Sequence, residues 1–196
     1  MSPSGYSRQY KSDLRAAIDL IDEDKVARVV DLLREARDTG RTVFVCGNGG
    51  SAATASHFVC DIVKGASFNQ PSRFRIMALN DSLPTLTAYS NDVGYECVFA
   101  EQLKNFARPG DVVMAISGSG NSPNVLRAVE YANSIGCRTV AMTGRDGGRL
   151  GALAGLNLQV PVPHMGRIED AHMIISHMIS YYFMDVECGR PEAATG

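Results

Sequence analysis

The chain predicts an α/β fold, a three-layer αβα sandwich around a five-stranded parallel sheet, with extra helices ahead of it. Three observations carry this. Five short β-type runs, at 42–46, 75–79, 112–116, 138–142 and 156–160, alternate with stretches of helical periodicity. The connections are long enough for crossovers, and parallel strands need about a dozen residues or more between them. The runs at 112–116 (Val-Val-Met-Ala-Ile) and 138–142 (Arg-Thr-Val-Ala-Met) are largely apolar, as expected of strands covered on both faces.

From Ser12 to Thr39 the apolar residues Leu14, Ala17, Ile18, Ile21, Val26, Val29, Val30, Leu32 and Leu33 recur at helical spacing. Gly40 stands where a helix C-cap glycine belongs. Residues 1–40 are therefore read as a helical arm that packs on its own domain or on another copy of the chain. The first strand ends in Gly47-Asn48-Gly49-Gly50-Ser51-Ala52, and a helix is expected from Ser51 to Val63. After the second strand, Asn80-Asp81-Ser82 offers caps for a helix through Tyr89, broken at Asn91-Asp92-Val93-Gly94. A helix over Tyr95–Phe106 precedes the turn signal Pro109-Gly110-Asp111. The third strand runs straight into Ser117-Gly118-Ser119-Gly120-Asn121-Ser122, with Pro123 at a helix-starting position. The pattern repeats through a helix at Pro123–Ser134, the fourth strand, a short helix to Ala154 and the fifth strand. An apolar helix over Arg167–Phe183 closes a domain assigned to 41–190, and 191–196 read as a tail.

With 19 basic and 21 acidic residues and no block of like charge, neither a nucleic-acid footprint nor a polybasic membrane patch is present. The five cysteines include no C-x-x-C pair and sit mostly in apolar runs, which fits reduced, buried thiols. The first residues lack a charged segment followed by an apolar one, and no run approaches the ~18 apolar residues of a membrane span. The expectation is a soluble cytosolic protein whose partner is a small polar ligand.

The loop at Gly47–Ala52 satisfies G-x-G-x-x-A after a strand, so a dinucleotide site must be weighed. That fingerprint wants an acidic residue about 20 positions on. Positions 66–70 are Ala-Ser-Phe-Asn-Gln, and no Gly-Lys-Ser/Thr phosphate loop is present either. What remains is two small polar cups at strand ends, Gly49-Gly50-Ser51 and Ser117–Ser122. Strand carboxyl ends and helix N-termini favour anionic ligands, so two cups from one sheet could hold two parts of one sugar phosphate.

Ionisable residues sit on two apolar helices. His57 and Asp61 are four apart and share a helix face, a spacing that serves equally a solvent-facing pair or a functional one. The closing helix carries Glu169, Asp170, His172 and His177 among Ile168, Met173, Ile174, Ile175, Met178 and Ile179. Glu169 and His172 have the i, i+3 spacing used by metal sites in helix bundles, though His172 alone reads more simply as a satisfied core histidine. Glu169 and His177 lie eight apart, ~12 Å along a regular helix. To share a ligand, Glu169 must precede the regular helix or the two must come from different subunits.

Taken together, Cys46-Gly47-Asn48-Gly49-Gly50-Ser51, His57-Phe58, Asn91-Asp92, Ile116-Ser117-x-Ser119-Gly120-Asn121-Ser122, Thr143-Gly144-x-Asp146-Gly147-Gly148 and Arg167-Ile168-x-x-x-His172 resemble the phosphoheptose isomerases of the sugar isomerase (SIS) domain superfamily. The resemblance implies a flavodoxin-like sandwich and a homotetramer with active sites shared between subunits. It also implies interconversion of sedoheptulose 7-phosphate with D-glycero-D-manno-heptose 7-phosphate. Carried onto matching positions, it makes Ser51, Ser117, Ser119 and Ser122 phosphate contacts, with Gly49 and Gly50 in the first cup, and Gly118 where the family has a hydroxyl residue. Asn48 and Asp92 approach the sugar. The metal and acid/base set falls on His57, Asp61, Glu169 and His177, with aspartate for glutamate at 61 and glutamate for glutamine at 169. That set suits Zn2+ or a similar divalent ion, and Glu169 also counts as a substrate contact.

The mechanism so implied is aldose–ketose isomerisation through an enediol. Asp61 is the base that moves the proton between C1 and C2. His177, reaching in from a neighbouring subunit, shuttles the hydroxyl proton, the kind of work histidine does near neutral pH. Two other classes compete: a non-catalytic SIS protein that binds a partner, and a regulatory phosphosugar sensor, which usually carries a DNA-binding domain that has no counterpart here. An isomerase for a different sugar phosphate is a third reading, kept open by Asp61, Gly118 and Glu169.

Overall fold

In the computed structural model, which describes residues 1–189, five strands form one parallel sheet in the order β2-β1-β3-β4-β5. They are β1 (Thr42–Gly47), β2 (Arg75–Ala78), β3 (Val112–Ser117), β4 (Arg138–Gly144) and β5 (Leu156–Val160). The two most apolar runs lie innermost: β3 is buried at every position, and β4 at all but Arg138. At the sheet edge β2 alternates exposed and half-buried residues, as a strand covered on one side should.

Two helices, α1 (Pro3–Ile18) and α2 (Glu23–Asp38), precede the sheet, their N-termini capped by the side chains of Ser2 and Asp22. Helix α2 buries Val26, Val29, Val30, Leu32, Leu33 and Ala36, while α1 buries only Ala17. On the same sheet face lie α3 (Gly50–Cys60) and α8 (Met165–Tyr181). The other face carries α4 (Leu83–Asp92), α5 (Val98–Phe106), α6 (Pro123–Ser134) and α7 (Gly148–Leu153). Each face has its own core, one around Phe58, Met114 and Phe183, the other around Phe44, Phe99 and Leu103. Fully burying a Phe, Leu or Met side chain is worth about 1.5–3 kcal/mol, so the two layers supply most of the drive to fold.

The expected elements appear, with three differences at their ends. The helix expected over Ser51–Val63 tightens only to Cys60, and from Asp61 to Ala66 it widens into a π-helical turn. There the Ser67 hydroxyl donates to the Ile62 carbonyl, and Gly65, without a Cβ, lets Met184 pack against the chain. The helix expected from Tyr95 is a 3₁₀ turn over Tyr95–Cys97 followed by α5. The closing helix starts at Met165, capped by His164, and widens again over Tyr182–Glu187. Arg34 and Arg37 tie that last turn to α2 by holding the Glu187 carboxylate at 2.5 and 2.7 Å.

Among the described residues all five cysteines are free. Burial pushes the Cys46 thiol up to about 12 and Cys137 up to about 11, so both are inert packing groups. Cys60 departs from the expectation of buried thiols, being exposed on the outer side of α3. No helix among the described residues is long and apolar enough to cross a membrane. The tail expected at 191–196 lies outside the described residues.

Candidate active site

The strand order reverses between β1 and β3, and the loops after these two strands flank the crevice where ligands bind in sheets of this kind. Both helices that start there, α3 and α6, lack a side-chain cap: Gly49 has no side chain to offer, and the Ser122 hydroxyl does not bond back to its helix. It turns instead to Ser117 Oγ at 3.1 Å, which also meets Ser119 Oγ at 3.4 Å. Three hydroxyls thus gather beside the N-terminus of α6, where Pro123 has no N–H and the Val125 N–H is taken by Asn124 Oδ1, so the hydroxyls are the main donors the cup offers an anion. The Ser51 side chain is buried at the start of α3 in the first cup. Gly118, where the resemblance expects a hydroxyl residue, is covered by Met165: a Cβ there would lie 2.6 Å from the Met165 sulfur.

Asn48 links the cups. Its amide pairs with that of Asn124, the second residue of α6, through two bonds of 2.9 Å, and Tyr95 donates its hydroxyl to Asn48 Oδ1 at 2.7 Å. Asp92 is the exposed last residue of α4 and accepts a bond from Asn91.

Helices α3 and α8 run parallel, because each follows a strand of the same parallel sheet on the same face. Their contacts climb together in sequence: Glu169 lies beside Gly50, His177 beside His57, and Ser180 beside Asp61. His57 Nε2 and His177 Nε2 are 3.0 Å apart, and Asp61 Oδ2 lies 3.4 Å from the first and 3.8 Å from the second. Fully buried Ser180 donates its hydroxyl to the same carboxylate oxygen at 3.3 Å. Asp61 opens the π-helical turn, a feature often found at functional sites.

These distances can be tested against a metal. Ligand atoms 2.0–2.2 Å from a tetrahedral ion stand about 3.3–3.6 Å from one another. Of the three separations, the 3.4 Å one lies in that range and those of 3.0 and 3.8 Å flank it, and two imidazoles with one carboxylate are a donor set that suits zinc-like ions. The His57 and His177 side chains are 48% and 43% exposed, which leaves the outward side of that triangle open to a ligand.

Three expectations change. Helix α8 is regular from Met165, so Glu169 does not precede it, and the eight-residue rise carries its carboxylate away from His177. It presses on Gly50 so closely that a Cβ there would stand 2.6 Å from Glu169 Oε1. Within this chain Glu169 therefore lies at the first cup, apart from the His57, Asp61 and His177 cluster. His177 meets His57 within one chain, where a neighbouring subunit was expected to supply it. The Glu169–His172 metal spacing also falls away: His172 is buried with Nε2 on the Thr143 carbonyl at 3.1 Å, and burial pushes it down to about 4. It is a neutral core histidine.

Sequence reasoning missed Ser180, Asn124, Tyr95 and Met165. Ser180 had one signal, a hydroxyl in an apolar helix one turn beyond His177; the others had none until the loops were folded.

A 2-1-3-4-5 parallel sheet with a hydroxyl cup at its reversal point places the chain in the flavodoxin-like class of α/β domains that bind anionic ligands there. The SIS domain family profile matches residues 6–144. The phosphoheptose isomerase of Geotalea daltonii is 41% identical over 156 residues, covering 79% of this chain and 80% of that one. The phosphoheptose isomerase of Mycobacterium bovis is 45% identical over 141 residues, 72% of this chain and 71% of that one. In three dimensions, phosphoheptose isomerase from Neisseria gonorrhoeae superposes with a TM-score of 0.87 at 30% identity, over 94% of this chain and 100% of that one. The chain belongs to the phosphoheptose isomerase family of SIS domain proteins.

Proposed function

We propose that the protein is an aldose–ketose isomerase that interconverts sedoheptulose 7-phosphate and D-glycero-D-manno-heptose 7-phosphate through an enediol. The observation that carries this reading is the meeting of His57, Asp61 and His177, two turns along α3 from Gly50 at the first cup. The Ser117–Ser119–Ser122 cup and Ser51 hold the phosphate, and that binding energy positions the reacting end of the sugar. Gly49, Gly50 and Glu169 line the sugar at the first cup, with Asn48 and Asp92 nearby. Asp61 Oδ2 faces the imidazoles and Ser180, which leaves Oδ1 to take the proton from one carbon and return it to the next. His177 moves the hydroxyl proton.

His57, Asp61 and His177 would hold a divalent ion, zinc or one like it. Bound there, the ion supplies Lewis-acid polarisation of the sugar carbonyl. The chain works in the cytosol as a homotetramer, with residues 1–40 as the oligomerisation arm of the domain at 41–190. In support, α1 buries a single side chain, and Tyr6 on it and Leu20 just after it are more than half exposed.

The test is conversion of sedoheptulose 7-phosphate by the purified protein before and after chelation. Product formation that is lost with the metal and restored by zinc is expected. No product from metal-replete protein overturns the reading. The departures at Asp61, Gly118 and Glu169 favour one second reading, the same chemistry on a sugar phosphate of another length, which a panel of ketose phosphates separates.

A further inference from the structure

We infer that Asn124 and Tyr95 are positioning residues that lock the Asn48 amide as a pure hydrogen-bond donor toward an oxygen of the bound sugar phosphate. The inference rests on the reading of Asn48 as a sugar contact.

An asparagine amide can face either way, and its oxygen and nitrogen differ only in the partners they accept. Here a backbone group decides. The Val125 N–H donates to Asn124 Oδ1 at 3.0 Å, so that atom must be the oxygen. Asn124 is 2% exposed, which makes a reversed amide, with two donors facing each other, costly. With Asn124 fixed, its Nδ2 meets Asn48 Oδ1 and Asn48 Nδ2 meets Asn124 Oδ1, both at 2.9 Å. The Tyr95 hydroxyl then donates to Asn48 Oδ1 at 2.7 Å.

Both lone pairs of Asn48 Oδ1 are thereby engaged, and one Nδ2–H is used. The second Nδ2–H remains. Asn48 can therefore give a hydrogen bond to a hydroxyl, carbonyl or phosphate oxygen of the ligand and has no lone pair to accept one. The three residues come from the loop after β1, the start of α6 and the 3₁₀ turn before α5, so the network also fixes the spacing of the two cups. The Tyr95 side chain contributes little packing, because the residue is 53% exposed.

The experiment is a double-mutant cycle on sedoheptulose 7-phosphate isomerisation with Tyr95→Phe, Asn48→Ala and the pair combined. Tyr95→Phe is expected to raise KM about 3- to 10-fold, the worth of one neutral hydrogen bond, with kcat changed less than about twofold. Asn48→Ala raises KM further, and the double variant is no worse than Asn48→Ala alone, since Tyr95 acts only through Asn48. Asn124→Asp sets an oxygen against Asn48 Oδ1 and raises KM as well. If that buried variant fails to fold, Tyr95→Phe decides. An unchanged KM in Tyr95→Phe, or penalties that simply multiply, overturns the positioning role while leaving the isomerase reading intact. A wild type that neither binds nor converts the sugar phosphate overturns that reading and this inference with it.

Discussion

Helices α3 and α8 meet twice along their parallel course, and the two meetings differ in kind. At the first, Glu169 presses on a bare glycine, Gly50, at the mouth of the cup. Two turns further on, His57 and His177 face one another across Asp61. Between them His172, five residues before His177 on the same helix, is sealed under the sheet and stripped of its charge. The lesson is that helix phase and level assign chemistry to residues that look alike in sequence. Parallel packing brings residues of equal rise together, so Glu169 belongs to the sugar end and His177 to the proton-moving end.

The sharpest way to break this contrast is at Asp61. Asp61→Asn keeps the size of the side chain and removes the base, so kcat should fall about 10²–10⁴-fold with the fold intact; equal turnover would remove Asp61 from the mechanism. A smaller effect separates His172 from the site. Its folded-state value near 4 lies below the ordinary 6.5 of histidine, so the unfolded chain binds the extra proton between those values. Its stabilising contribution is present in full above pH 6.5 and is lost as pH falls toward 4, by roughly 3 kcal/mol in total. Denaturation at pH 5 and 7.5 should show His172→Gln with a shallower acid loss than wild type; parallel curves would show that the histidine is not held neutral. The smallest effect belongs to Glu169. Glu169→Gln should leave bound metal unchanged and move KM by less than about tenfold, whereas loss of metal would return Glu169 to the coordination set through a second copy of the chain.

The sheet was legible because its strands are apolar runs bounded by glycine, proline and serine, and both cups were legible because they follow such runs directly. Helix bodies could be read from periodicity, but the π-helical turns at Asp61 and Tyr182 could not. They depend on Gly65 accepting Met184 and on Arg34 and Arg37 gripping Glu187, contacts between parts of the chain more than a hundred residues apart. His57, Asp61 and His177 were nominated from their place on apolar helices and from a family resemblance. Sequence spacing alone also nominated the pair Glu169 and His172, because an i, i+3 interval records a shared face without saying what that face meets. Asn124 looked like any residue behind a helix-starting proline until the fold set it against Asn48.

The central claim, that a proton passes between neighbouring carbons by way of Asp61, is tested most directly by running the isomerisation in D2O and locating deuterium in the product. Proton transfer through an enediol predicts solvent deuterium at the carbon that gains hydrogen, and loss of both exchange and turnover in Asp61→Asn. A product formed at full conversion with no deuterium at that carbon, by wild type and Asp61→Asn alike, would mean direct hydride transfer, and would contradict the account.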